Sequence, residues 1–468
     1  MEGLEITVLK LSEVREDNEK LRYDPEFFAK DAHSAYAALR HHRRFGDLVA
    51  DGYRVVYETT EIIPREIGIA EGLPFFLQAA DIETPFIRGD RMGCVARADW
   101  DRYTKGRITT GELLIEVKGL AEKVALVTDD IPTNTLVTGT CYKMIPKDVL
   151  DGPLLIAYLT CCYGQALKNR LKSNLLVAFV SKEDLFSLPV PDFGNPLKRA
   201  IAAVIAGSFR AEGEVSQKMN EAEAALTAAV GLREWQPPEP LTFSLKASDV
   251  LATKRLDSQF FAPRYAATRQ RFDEISDVRE LHEFGKVLKG ESVTYDEEGT
   301  VPIIRSGDLV DISDDGRFLR ALASEPIFAL ERGDVLISSI GFGSIGKVQV
   351  FDKPGRYGTV SEVTVVRQKT LNPYYLAAFL RSPAGQSQIE RFITGATGQL
   401  HLYPRDVGRI FIPILPKPKQ AVFQDLAEKA HTARQRARDL LAAAQCAVEI
   451  AIEESEKSAM AYLKTKGV

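Results

Sequence analysis

Cysteine is scarce in this sequence: five in 468 residues, two of them adjacent at Cys161 and Cys162. That excludes a disulfide framework. With no His or second Cys pair at ligand spacing, Cys161-Cys162 reads as buried and structural. No apolar run is long enough to span a bilayer. Met1-Glu2-Gly3-Leu4-Glu5 lacks the basic and apolar regions of a signal peptide, so a cytoplasmic location is expected. A basic excess is lacking too: the formal net charge is −5. This speaks mildly against nucleic-acid binding, although a global sum can hide a basic face. No Asn-Pro-Pro-Phe/Tyr or Asp-Pro-Pro-Tyr motif for amino methylation occurs, Asn195-Pro196-Leu197 being a helix start. The six histidines form no nucleophile–base grouping. No active site is advertised.

What is present is ordinary in bulk and unusual in arrangement. Hydrophobic content of 45% and charged content of 27% suit a soluble globular protein, and the length allows two or three domains with full cores. Arg22-Tyr23-Asp24-Pro25-Glu26-Phe27-Phe28 recurs as Arg255-Leu256-Asp257-Ser258-Gln259-Phe260-Phe261. Each copy follows a related lead-in, Leu9-Lys10-Leu11-Ser12-Glu13-Val14 and Leu245-Lys246-Ala247-Ser248-Asp249-Val250. A period near half the chain means two similar domains, not a solenoid.

In chain order, a short β-like opening and a helix through Ala35–Arg40 precede strand-like runs at Leu73–Leu77, Glu112–Val117 and Val124–Val127. A helix-like stretch runs from Pro153 to about Leu171, followed by a strand-like Leu175–Val180 and a close at Leu188-Pro189-Val190-Pro191. A long helix then starts at Asn195-Pro196 and stops near Gly231, with a stripe of Leu197, Ile201, Val204, Val215, Met219, Ala222 and Leu226. After the stiff linker Gln236–Pro240, the second half replays the first. Val301–Arg305 parallels Leu73–Leu77, Gly333–Ile337 parallels Gly111–Ile115, and a helix from Tyr375 to Phe392 carries Gly385-Gln386 where the first carries Gly164-Gln165. A second long helix is expected from about Lys419 to Lys457, striped with Val422, Leu426, Ala433, Ala437, Leu440, Ala444 and Val448. Each long helix would reach roughly 50 Å, and pairing the two antiparallel buries both stripes. The expected fold is α+β: two similar mixed α/β domains (1–194 and 236–416) separated by two long antiparallel coiled-coil helices (195–235 and 417–468).

Two motifs imitate chemistry. Gly341-Phe342-Gly343-Ser344-Ile345-Gly346-Lys347 fits G-x-G-x-x-G and nearly fits a P-loop, but Val348 replaces the Ser or Thr that holds magnesium. Both motifs need a helix next, whereas Lys347–Phe351 alternates like a strand, so a glycine-rich hairpin is expected. Glu116-Val117-Lys118, downstream of Asp99 and Asp101, resembles the carboxylate and lysine set of magnesium nucleases. Its counterpart in the second half is Ser338 and Ile340, so the strand is shared and the charges are not.

Gly333-Asp334-Val335-Leu336-Ile337-Ser338-Ser339-Ile340-Gly341 through Gly346-Lys347-Val348, then Thr394–Leu402, Asp406-Val407 and Ile412-Pro413, resemble segments of the specificity subunits of type I restriction-modification systems. The Arg-Leu-Asp-x-x-Phe-Phe opening also occurs in that family. The resemblance covers essentially the whole chain and is stronger in the second half. In the first half Ser173-Asn174-Leu175-Leu176 stands where a Thr-Gly-x-x-Gly-Gln element is expected.

The resemblance implies two target recognition domains, each reading half of a split double-stranded DNA sequence. It also implies a helix pair that sets the gap and docks two copies of a methyltransferase (M) subunit, with a restriction/translocase (R) subunit added. S-adenosylmethionine, ATP and Mg would sit in those partners and no cofactor in this chain, itself non-catalytic and away from any membrane. Candidate DNA contacts are Arg88, Arg91, Arg97, Arg102, Lys105 and Arg107 in the first half, interleaved with Trp100 and Tyr103. In the second they are Lys289, Arg305, Lys347, Thr397, Gln399, His401, Tyr403 and Arg405, in loop or glycine-flanked segments. Rival functions are a magnesium nuclease using Glu116 and Lys118, and a protein-binding scaffold that kept the fold.

Overall fold

A computed structural model describes residues 8–467 other than 16–17, 19, 21, 174–176, 234, 275, 313–315, 317, 342 and 396–399. The chain divides into two compact units, Met1–Gly213 with Ala433–Val468, and Glu214–Thr432. No described helix is long and apolar enough to cross a membrane.

Each unit is built on a central strand with three consecutive apolar residues, Leu113 to Ile115 within Leu113–Glu116 in the first and Val335 to Ile337 within Asp334–Ser338 in the second, and each strand is buried along its whole length. Such a run needs cover on both faces. Both strands are entered through a glycine in the left-handed region, Gly111 (φ 88°) and Gly333 (φ 93°), a conformation other residues adopt at a cost. The next residue is a buried carboxylate, Glu112 or Asp334. Each accepts a backbone N–H from three residues back, Thr109 at 3.0 Å and Glu331 at 2.8 Å. Each also pairs with a cation of the adjacent strand, Lys143 at 3.0 Å and Arg367 at 2.7 Å.

The four-stranded sheets around these strands share one order and are antiparallel throughout. In the first unit the order is Val49–Tyr53, Cys141–Pro146, Leu113–Glu116 and Val124–Leu126. In the second it is Gly285–Lys289, Val363–Gln368, Asp334–Ser338 and Val348–Phe351. A second sheet in each unit is centred on a parallel pair, Phe75–Leu77 with Thr135–Val137, and Val301–Ile304 with Gly358–Thr359.

The stretches read as single helices, Pro153–Leu171 and Tyr375–Phe392, are each broken in two. Asp151–Thr160 is followed by Cys162–Leu171, and Pro373–Arg381 by Pro383–Phe392. The hinge residues Cys161 (ψ 170°) and Ser382 (ψ 160°) are extended. The second helix then crosses the first so closely that a Cβ on Gly164 would lie 1.9 Å from the Tyr158 carbonyl oxygen, and one on Gly385 2.2 Å from that of Phe379. Cys161 is buried, but Cys162 is exposed, against the expectation for the pair; its backbone N–H donates to Glu449 at 2.9 Å.

The repeated Arg-x-Asp-x-x-Phe-Phe stretch clamps the end of this helix pair. Arg22 pairs with Asp24 (2.5 Å) and donates to the carbonyls of Arg170 (3.0 Å) and Lys172 (2.6 Å). Arg255 pairs with Asp257 (2.7 Å) and donates to Ile393 (3.4 Å). A guanidinium suits carbonyls left without a partner at a helix C-terminus. Phe27 lies under both Arg22 and Arg170, as Phe260 lies under Arg255 and Arg391.

The two long helices, Asn195–Ala229 and Lys417–Glu453, each give one part to each unit. In the first unit Ser208 donates its hydroxyl to the Ala437 carbonyl at 2.7 Å, and Gly194 meets Glu456. Residue numbers thus rise along one helix as they fall along the other: the segments are antiparallel. Leu197, Ile201, Val204 and Ile205 enter one core with Ala443, Ala444, Ala447 and Val448. In the second unit Leu226 and Val230 share a core with Phe423. The fold is α+β, with the helix pair running into the core of each α/β unit.

Several expectations are corrected. Leu11–Arg15 is helical, whereas residues 1–7, where the expected β-like opening begins, lie outside the described residues. Met219 and Val422 are exposed members of their stripes. The second long helix stops at Glu453, and Ser455 caps a separate helix, Glu456–Thr465. Of the strand expected at Leu175–Val180 only Ala178–Phe179 is paired; Asn174, Leu175 and Leu176 lie outside the described residues.

Candidate nucleic-acid interface

In the first unit the six predicted cations fall into two groups. Arg97 and Arg102 stand on the short helix Arg97–Arg102, and Lys105 on the 3-10 turn Thr104–Gly106. All three are exposed. Arg97 donates to the Gly72 carbonyl at 3.0 Å and Arg102 pairs with Glu58 at 2.6 Å. Aromatic rings hold this segment: Tyr103 against Tyr57 at 4.7 Å, Arg102 over Tyr103, Lys105 over Tyr53, and Arg107 over Trp100 at 4.2 Å. Arg107 is half-buried and donates to the Trp100 carbonyl. Exposed ion pairs are worth at most about 1 kcal/mol, so Arg97, Arg102 and Lys105 are available to a phosphate at little cost.

Arg88 and Arg91 converge instead on Glu83. Arg88 is 14% exposed and held between Glu83 and Glu212, the latter on the first long helix. Burial opposes its charge, but Glu212 and Glu83 outweigh that, and its pKa lies above the usual arginine value. Removed from solvent and doubly paired, Arg88 fastens a loop to the helix and does not project toward a ligand. Arg91 keeps half its side chain in solvent.

In the second unit the segments that carry three predicted residues are linked to one another. Arg305 heads a turn whose next residue, Ser306, meets the Ser338 hydroxyl at 2.7 Å. Ile340, two residues further along that chain, bridges to His401, which is also bridged to Thr394. The His401 ring stacks on exposed Tyr403, with centroids 6.0 Å apart and planes at 11°. Arg305, His401 and Tyr403 are thus joined through the glycine-rich strand. Lys289 is exposed at the end of its strand, and Lys347 is half-buried at the close of the glycine turn. Thr397 and Gln399 lie outside the described residues.

Arg405 has an 86% exposed side chain and lines a concavity of about 520 Å³ with His282, Val287, Pro404, Gly408 and Arg409. His282 and Arg409 are not among the predicted contacts, although Gly408 precedes Arg409. In the first unit a cleft of about 680 Å³ is lined by Asp129, Asp130, Asp148, Lys147 and Arg210 among others. Its acidic residues, Glu112 among them, outnumber its basic ones, which does not favour a polyanion.

The two catalytic look-alikes resolve structurally. Gly341, Gly343 and Gly346 all have positive φ and join Asp334–Ser338 to Val348–Phe351, an antiparallel pair, as the hairpin expectation required. The Glu116 carboxylate is buried and accepts the backbone N–H groups of Glu122 (3.0 Å) and Lys123 (3.2 Å), closing the turn into the next strand. Among the described residues, no three His, Cys, Asp or Glu side chains converge as a metal site would require.

No protein-family model and no curated protein matches this chain. Among solved structures, similar ones include proteins of type I restriction-modification systems. The S subunit from M. genitalium is 14% identical over 90% of this chain and 95% of its own, with a TM-score of 0.37. The HsdS subunit from Thermoanaerobacter tengcongensis is 15% identical over 88% and 96%, with a TM-score of 0.28. A structure concerned with complex assembly and conformational transition of the type I R-M system is 15% identical over 90% and 95%, also at 0.28.

Proposed function

We propose that this chain is the DNA specificity subunit of a type I restriction-modification complex. Residues 1–194 and 236–416 would read the two halves of a split target, with 195–235 and 417–468 as the helical spacer that docks two methyltransferase subunits. The observation that carries this is duplication at the level of individual interactions. The Arg–Asp helix clamp, the glycine-entered central strand with its paired buried carboxylate, the sheet order and the crossed helix pair all occur twice. Two readers at fixed separation need two such frames, as dimeric DNA-binding proteins do.

Exposed cations over aromatic rings in the first unit (Arg102 over Tyr103, Lys105 over Tyr53) and, in the second, half-buried Arg305 and the His401–Tyr403 stack have the character of groups that bind phosphates and bases. Methyl transfer, ATP-driven translocation and cleavage, with S-adenosylmethionine, ATP and magnesium, would belong to partner subunits. The test is a genome-wide map of methylated adenines in cells with and without this gene, the neighbouring methyltransferase gene kept in both. Loss of a split motif with a fixed gap is the expected result. An unchanged map refutes the proposal.

A further inference from the structure

Because the chain builds the same turn twice, its two copies serve as an internal alignment. After the strands Phe75–Leu77 and Val301–Ile304 the backbone enters a 3-10 turn, Ala79–Asp81 and Ser306–Val310. In the first, the buried Asp81 carboxylate accepts the Gln78 backbone N–H at 2.8 Å; in the second, buried Asp308 accepts the Arg305 N–H, also at 2.8 Å. Each aspartate N–H donates back to the carbonyl of that same residue at 3.0 Å. The turn therefore closes through backbone groups and one carboxylate. It closes identically whether an amide or a guanidinium side chain stands at its head.

That position is set up to present a side chain. It follows a strand whose parallel neighbour ends at the same edge, Thr135–Val137 beside Gln78 and Gly358–Thr359 beside Arg305. Both side chains are half-buried, which limits their rotamers without removing them from contact. Cations flank the first copy: Lys123 donates to the Ala79 carbonyl at 2.6 Å, and Arg91 and Lys123 both act electrostatically on Asp81. The second copy is linked to the His401–Tyr403 stack through Ser306, which meets the Ile340 carbonyl, and the bridge from Ile340 to His401. Arg305 also donates to both Asp308 carboxylate oxygens, from Nε at 3.2 Å and from a terminal guanidinium nitrogen at 3.3 Å, which aligns the guanidinium, leaves its other edge unengaged by Asp308 and leaves its side chain 37% exposed. A scaffold held constant under a varied side chain is what two readers of different half-sites require. Glutamine and arginine are the residue types that make paired hydrogen bonds to adenine and guanine edges in the major groove.

We propose that Gln78 and Arg305 are equivalent base-contacting residues, one in each recognition domain, Gln78 meeting an adenine and Arg305 a guanine, with Asp81 and Asp308 as the residues that position them. The proposal rests on the specificity-subunit reading and adds to it the residue at which each half is read.

The test uses the full chain with its methyltransferase partner in cells, as wild type and as Arg305→Gln, Gln78→Arg and Gln78→Ala. Methylated motifs are mapped, and binding of the purified complexes to duplexes altered at single motif positions follows. Arg305→Gln is expected to relax or change one base of one half-site and to lower discrimination there by about 5- to 150-fold. The Gln78 variants are expected to do the same at one base of the other half. If the wild-type gene directs no split motif, the specificity reading falls and takes this inference with it. If it does, and either residue's variants leave every position unchanged or weaken both halves alike, this inference alone is refuted. Gln78→Ala removes only a half-buried side chain from a turn that closes without it, so a folding defect in Gln78→Arg does not obscure the result.

Discussion

Lys168 lies within the core of the first unit, 1% exposed, with its Nζ donating to the Glu122 carbonyl. Its counterpart after Gly385-Gln386 in the second unit is the buried, apolar Ile389. Burial, with Lys172 adding repulsion, pushes the Lys168 pKa down to about 8, against about 10.4 in an unfolded chain. Between those values the unfolded chain binds more protons than the folded one, so stability rises with pH there. Below pH 8 the buried charge costs about 3 kcal/mol, at 1.36 kcal/mol per pKa unit, and about 2 kcal/mol of that returns between pH 7 and pH 9.5. Lys168→Met removes the titration but leaves the Glu122 carbonyl unpaired, at roughly 1–3 kcal/mol. The variant should therefore equal or exceed wild type at pH 7 and equal or fall below it near pH 9.5, losing about 2 kcal/mol relative to wild type between the two. The chain has two tryptophans, Trp100 and Trp235. A Trp235→Phe background lets Trp100 fluorescence report urea unfolding of the first unit alone. A difference between the two proteins that is the same at pH 7 and pH 9.5 would refute the reasoning.

Three further outcomes are expected. Arg88→Met, which strands Glu212 against buried surface, should cost the first unit about 3–5 kcal/mol, whereas exposed Arg102→Met should cost at most about 1 kcal/mol; chemical denaturation distinguishes them, and equal effects contradict the assignment. Arg22→Met should lower the melting temperature more than Arg255→Met, because Arg22 donates to two helix-end carbonyls and Arg255 to one at 3.4 Å. Both aspartate partners are held below the usual carboxylate range, chiefly by hydrogen bonds from Arg22 and Arg255. The contribution of each clamp is therefore complete above about pH 4 and lost as pH falls through the depressed value, and a melting profile that does not steepen there counts against the clamp. Glu116→Gln should weaken a turn by roughly 1 kcal/mol and leave the methylation motif intact; loss of magnesium-dependent DNA cleavage by the purified chain would instead favour a nuclease.

How much of this was legible depended on how local the cause was. The Arg-x-Asp-x-x-Phe-Phe repeat was visible because arginine and aspartate are two residues apart and pair within the stretch itself. The glycine hairpin was visible because three glycines in six residues have few other uses. The helix break at Cys161 was not, since no proline or glycine marks it; it comes from the close crossing that Gly164 permits. Ser382-Pro383 carried a stronger signal at the same point of the second half, and comparing the halves would have transferred it. Arg88 looked like a surface cation because its partner Glu212 is 124 residues away, and no local pattern separates a solvated arginine from one that fastens a loop to a helix. Gln78 shows the reverse: Gln78-x-x-Asp81 means little alone and acquires meaning only beside Arg305-x-x-Asp308. In a duplicated chain the frame is what the halves hold in common, and their functional difference is to be sought where an identical backbone carries unlike polar side chains.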